Sequence, residues 1–259
     1  MKIISSRENP LFKSLKKLEE SSKERRKARK TVLDGEHLID AYISAIGNPG
    51  LIVISSSAAN AAEPHYFLEK FQHSDLVVMP DGMFRELSPV KTPTGIIAII
   101  DIPVIEANGG QADFGVLLED IQDPGNLGSI LRSAAAAGVQ MAYLSNKCAD
   151  VWSPKVLRAG MGAHFCLTIY ENHDLLKAAH AFSGAIVATS LNASKSLFDL
   201  NLTGPVSFVI GNEGVGLSSA LQDAATDRVS IPMPGKIESL NAASAASICF
   251  FERVRQMQK

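Results

Sequence analysis

The back half of the chain alternates short, almost unbroken apolar runs with helical patterns, and this rhythm narrows the folds open to it most. Strand-length runs fall at 116–119, 139–144, 185–189, 206–210 and 228–231, and helices are expected at 127–137, 175–181, 218–224 and 240–257. Strands that are apolar on both faces and separated by helices belong in a parallel sheet covered on both sides. In open sheets of that kind a ligand sits outside the carboxyl ends of the strands. The loops that follow the strands are therefore where chemistry is to be sought.

The front half has a looser alternation. A polar helix over 10–30 carries Leu11, Phe12, Leu15 and Leu18 on one face. Strands are expected at 51–55, 76–79 and 95–101, with helices at 36–46, 63–72 and 82–88, which describes a small α/β domain. A stretch with Pro103, Gly109 and Gly110 and little periodicity, 102–113, is the natural linker. The division expected is 1–101, a linker 102–113, and 114–259.

Charge separates the two halves further. Residues 1–30 hold eleven Lys and Arg against four Glu, a local +7 in a chain whose total is −2. A basic arm on an acidic body suits contact with phosphate; a solvated helix face is the plainer alternative. The longest apolar runs are too short to cross a bilayer, and the first residues show no secretory pattern. Cys148, Cys166 and Cys249 are odd in number and form no C-x-x-C. With six histidines that share no ligand spacing, they point to reduced thiols in a cytoplasmic protein without metal.

Three strand-following loops stand out. The first, Asp123-Pro-Gly-Asn-Leu-Gly-Ser-Ile-Leu-Arg132, turns the chain into a helix that Asn126 is expected to cap. The second, Ile210-Gly-Asn-Glu-Gly-Val-Gly-Leu-Ser218, is spaced G-x-x-G-x-G, which is neither the dinucleotide fingerprint nor a phosphate-binding P-loop. Glu213 inside it would repel a phosphate. The third runs from Ile231-Pro-Met-Pro-Gly into Glu238-Ser-Leu-Asn-Ala-Ala-Ser, where small residues admit close approach of a ligand. Each alone also reads as an ordinary turn or capped helix start.

In order and spacing, the three together resemble the signature motifs of the SpoU (TrmH-like) family within the SPOUT superfamily. Ser6-Arg-Glu-Asn-Pro-Leu-Phe-Lys13, Leu33-Asp-Gly-Glu-His-Leu-Ile-Asp40 and Leu87-Ser-Pro…Thr-Pro-Thr-Gly95 resemble the RNA-binding domain of its longer members, and Trp152 to His164 a further family segment. The resemblance implies a trefoil-knotted parallel-sheet domain behind a smaller α/β RNA-binding domain. It implies an S-adenosylmethionine-dependent enzyme that methylates a ribose 2′-hydroxyl in RNA, large-subunit ribosomal RNA first and transfer RNA next. A catalytically inert RNA-binding homologue is the rival reading. It also implies a homodimer formed through the knotted domain. By motif position Gly211, Ile231, Met233, Leu240 and Thr189 would hold the cofactor, and Arg132, Asn126, Glu213, Ser239 and Asn241 would carry the chemistry. Because a guanidinium stays protonated, Arg132 is read as an electrostatic clamp rather than a base. Glu119 and Asp120, adjacent on a strand end, are read as loop orienters.

Overall fold

The structure, a computed structural model, describes residues 1–62, 65–104, 112–212 and 214–258. The chain divides into two compact units: residues 1–104 with 152–165, and residues 105–151 with 166–259. Residues 152–165 thus fall in the first unit and not in the unbroken 114–259 domain expected from sequence. Of the expected linker, residues 105–111 lie outside the described residues.

The first unit is built on strands β1 (Lys2–Ile3), β2 (Lys30–Asp34), β3 (Leu51–Ser55), β4 (Asp75–Met79) and β5 (Ile96–Asp101) in the order β1-β4-β3-β5-β2. β1, β4 and β3 are parallel, and β5 runs antiparallel to both β3 and β2. The basic region is two helices rather than the single one expected. Asn9 caps the Pro10–Glu20 helix by accepting from the Leu11 amide at 2.9 Å, and Phe12, Leu15 and Leu18 enter the core. Ser21 then goes extended and caps a second helix, Ser22–Ala28, through the Glu24 amide. A serine is a better cap than a helix interior residue, because its hydroxyl competes for backbone hydrogen bonds. β2 escaped the periodicity reading because it follows directly on that polar segment. Residues 152–165 pack here too. Thr31 donates its hydroxyl to the Trp152 carbonyl at 2.6 Å, and Arg158 pairs with buried Asp34 at 2.5 Å. Burial pushes the Asp34 carboxyl up, against the opposing pull of Ser88 and Arg158.

The second unit is one parallel sheet of seven strands. These are β6 (Phe114–Leu118), β7 (Met141–Leu144), β8 (Thr168–Tyr170), β9 (Ala185–Thr189), β10 (Lys195–Ser196), β11 (Val206–Ile210) and β12 (Asp227–Ser230), in the order β10-β12-β9-β11-β6-β7-β8. Alternation along β11 shows both faces covered. Val209 joins Leu117, Ile186, Leu175 and Leu221 on one side, while Phe208 meets Phe114 and Phe250 edge-on on the other. The expected strands lie within about two residues of the observed ones, the usual scatter of element ends. β8, β10 and the Pro154–Gly160 helix were not expected; the two strands are too short to show a period.

Candidate functional site

The sheet order sets the site. β12, β9, β11 and β6 are consecutive neighbours and all parallel, so the loops leaving their carboxyl ends emerge side by side. Thr189 ends β9, Gly211 follows β11, and Ile231 follows β12, which brings three of the five expected cofactor residues onto adjacent strand ends. Met233 is half-buried and Leu240 exposed farther along the stretch after β12. The Thr189 hydroxyl is already spent on the Val209 carbonyl at 3.2 Å, tying β9 to β11.

The loop after β6 is tightly built. The Glu119 amide extends the ladder to the Ile210 carbonyl at 2.9 Å, and its carboxylate accepts from the Ser218 amide at 2.7 Å. Asp120 holds a left-handed φ of 55°, uncommon for a residue with a side chain but better tolerated by Asp than by most. Ser145 fastens it: the Asp120 amide donates to the Ser145 hydroxyl at 2.8 Å, and that hydroxyl donates to the Asp120 carboxylate at 2.6 Å. Both carboxylates are thus engaged in orienting loops.

The glycine loop after β11 is pinned by Asn212, which the sequence reading passed over. Its amide group donates to the Asp120 carbonyl at 2.9 Å and accepts from the Gly214 and Val215 amides at 2.9 and 3.0 Å. The Gly216 amide returns to the Asn212 carbonyl at 2.9 Å. A Cβ on Gly211 would lie 2.6 Å from the Gly216 carbonyl carbon and 2.7 Å from the Leu217 nitrogen, so only glycine lets the loop close on itself. Glu213 lies outside the described residues. The available signal for Asn212 was its place between a strand end and two glycines, where Asn commonly bonds its own backbone.

The first motif opens on the Pro124–Ala136 helix, and here the expected cap is corrected. Asp123 is the cap, accepting from the Asn126 amide at 2.8 Å, so Asn126 sits in the first turn. That leaves its side chain to accept from the Asn241 amide group at 2.8 Å, a bond that ties the first motif to the third. Asn241 in turn caps the Ala242–Met257 helix through the Ala243 and Ser244 amides. Arg132 is exposed and its side chain bonds to no described residue; six positions beyond Asn126, it lies on a different face, in line with Gly125 and Ser129. Its side chain leans toward the helix N-terminus. Ser239 is exposed and equally unengaged among the described residues.

Residues 232–240 make no hydrogen bond and no ion pair among the described residues, and they contain exposed Ile237 and Leu240. Free backbone groups beside apolar side chains suit S-adenosylmethionine, whose adenine asks for edge donors and acceptors between apolar walls. No group of three or more His, Cys, Asp or Glu among the described residues is arranged to hold a metal ion.

Likeness to known proteins gives the family. A model described as the SpoU rRNA methylase family matches residues 113–251, more than half of the chain, and one described as an MRM3-like substrate-binding domain matches 9–98. An uncharacterized tRNA/rRNA methyltransferase of Synechocystis is 32% identical over 98% of this chain and 93% of its own length. The Bacillus subtilis 23S rRNA (guanosine(2553)-2′-O)-methyltransferase RlmP is 28% identical over 97% of this chain and 98% of its own. The SpoU methyltransferase AviRb of Streptomyces viridochromogenes, solved with the cofactor AdoMet, superposes with a TM-score of 0.85 at 27% identity, covering 97% of this chain and 99% of its own. The chain belongs to the SpoU rRNA methylase family of S-adenosylmethionine-dependent methyltransferases.

Proposed function

We propose that this enzyme methylates a ribose 2′-hydroxyl in large-subunit ribosomal RNA, with Arg132 as the residue that meets the reacting oxygen. The observation that carries the reading is the Asn126–Asn241 hydrogen bond. It joins the helix bearing Arg132 to the unspent stretch after β12. The names of two relatives, a guanosine and a uridine 23S rRNA 2′-O-methyltransferase, favour ribosomal over transfer RNA.

Gly211, Ile231, Met233 and Leu240 would hold the cofactor chiefly through backbone groups, with Thr189 bracing the adjacent strands. When bound, the cofactor supplies an electrophilic sulfonium methyl. The chain's own part is positioning and charge. The exposed Arg132 guanidinium would stabilise negative charge growing on the 2′-oxygen and grip the neighbouring phosphate; being always protonated, it is no base. The proton leaves to phosphate or solvent. Asn126 and Asn241 fix the helix start, and Glu213 and Ser239 are assigned to the ribose. In the same reading the chain is a cytoplasmic homodimer, its last helix closes a trefoil knot, and residues 1–101 supply RNA affinity.

The test is Arg132→Ala, assayed with labelled S-adenosylmethionine on ribosomal RNA, alongside calorimetry with S-adenosylhomocysteine. Transfer should fall by about 10²–10³-fold, as when a charge-stabilising donor is removed, with cofactor affinity unchanged. Lost cofactor affinity would make Arg132 structural. Methylation of transfer RNA alone would reassign the substrate.

A further inference from the structure

The basic arm is not one uniform surface, because the fold neutralises part of it. Arg7 and Lys16 both pair with Glu86, Lys13 with Glu8, and Lys30 with Asp101. Those two cations hold the Glu86 carboxyl below its usual range, the Arg7 hydrogen bond first. Arg25 is buried, and its guanidinium donates to the Leu18 and Glu19 carbonyls at 2.7 and 2.9 Å, the last turn of the preceding helix. There the helix dipole favours a cation.

Fixing Arg25 inward fixes the rest of the Ser22–Ala28 helix. Lys23, Arg26 and Lys27 stand at i, i+3 and i+4, share one face about opposite to Arg25, and are all exposed. None makes an ion pair or a side-chain hydrogen bond with a described residue, and neither does Arg29, exposed just beyond the helix. Like charges at this spacing repel each other. A face that keeps three cations together while Arg7, Lys13, Lys16 and Lys30 are paired off is organised for an outside anion.

We propose that the Lys23–Arg26–Lys27 face, with Arg29 beside it, is a phosphate-tracking ledge for the backbone of the RNA substrate. The inference rests on RNA being the substrate. It adds that the grip is local to this short helix and insensitive to base sequence, because three flexible or forked cations on one face read charge and not base edges.

The experiment measures binding of wild-type protein to protein-free large-subunit ribosomal RNA across a salt series, with two triple variants beside it. In Lys23→Gln/Arg26→Gln/Lys27→Gln the slope of log affinity against log salt should become shallower by about two to three, at about 0.7–0.9 per lost contact. Its melting temperature should stay level or rise, since repulsion is relieved. The charge-keeping variant Lys23→Arg/Arg26→Lys/Lys27→Arg should retain the wild-type slope. An unchanged slope in the glutamine variant overturns the ledge while leaving the RNA reading intact. A charge-keeping variant that behaves like the glutamine variant overturns its electrostatic basis. Wild-type protein that fails to bind the RNA at all overturns the reading on which the ledge rests.

Discussion

Two loops of the parallel unit leave neighbouring parts of one sheet and are built in opposite ways. In the loop after β6, Glu119 and Asp120 spend amides, carboxylates and a carbonyl on Ile210, Ser218, Ser145 and Asn212. In the stretch after β12, residues 232–240 spend none among the described residues. The stretch is largely exposed, so water serves its backbone groups in the free chain and a ligand has only to displace that water. The first loop is complete within the chain; the second keeps its backbone groups open to a partner, as the proposed cofactor site requires. The glycine loop after β11 is pinned to the finished loop by the Asn212 amide group on the Asp120 carbonyl.

The sharpest way to break the contrast is Gly211→Ala. The added Cβ meets backbone at 2.6 Å, and backbone cannot swing aside as a side chain tip does. Overpacking of this kind costs about 1–3 kcal/mol or more. The glycine loop must open, and calorimetry should show S-adenosylhomocysteine binding weakened by about 10²-fold. Unaltered affinity would mean the loop does not face the cofactor. Next comes Asn212→Ala, which unties three hydrogen bonds while adding no bulk. Net worth near 1 kcal/mol per bond, discounted because the residue is only half-buried, predicts a loss of about 1–2 kcal/mol in urea unfolding. Cofactor affinity should fall too, but by less than for Gly211→Ala. A larger loss from Asn212→Ala would make the tether, not the close approach, the main support. Third, Asn241→Ala removes a helix cap and the bond to Asn126, for about 1 kcal/mol. It should lower methyl transfer more than cofactor affinity, read as kcat against Kd.

How legible the site was differs along the same line. The central strands β6, β9 and β11 could be read because they are apolar along their length; β10, two residues long, offers no period at all. Gly211 was legible because a glycine after an apolar strand has a physical cause visible in sequence. Asn212 and Ser145 were not. The Asp120 partner of each lies 92 and 25 positions away; the local signal at Asn212 covers its bonds to the Gly214 and Val215 amides and does not reveal the distant carbonyl it also holds. Asn126 is expected at the cap, but Asp123, three residues earlier, takes it, and the Asn126 side chain meets Asn241 instead. In the first unit the division of the basic arm was invisible for the same reason, because Glu86 pairs with Arg7 and Lys16 across 79 and 70 positions.

The smallest effect tests the unfinished stretch itself. Ile237 is 73% exposed among residues with no hydrogen bond to the rest of the described chain. If the stretch waits for a ligand, the free protein gains nothing from this side chain. Ile237→Ser should then leave urea unfolding within about 0.5 kcal/mol of wild type, as for an uninvolved surface position. Added cofactor raises stability according to its concentration over Kd, about 2.7 kcal/mol at a hundredfold excess. That increment should shrink in Ile237→Ser, because an apolar wall of the pocket has been made polar. A variant that destabilises the free protein would place Ile237 in the scaffold, and the two loops would then differ in degree and not in kind.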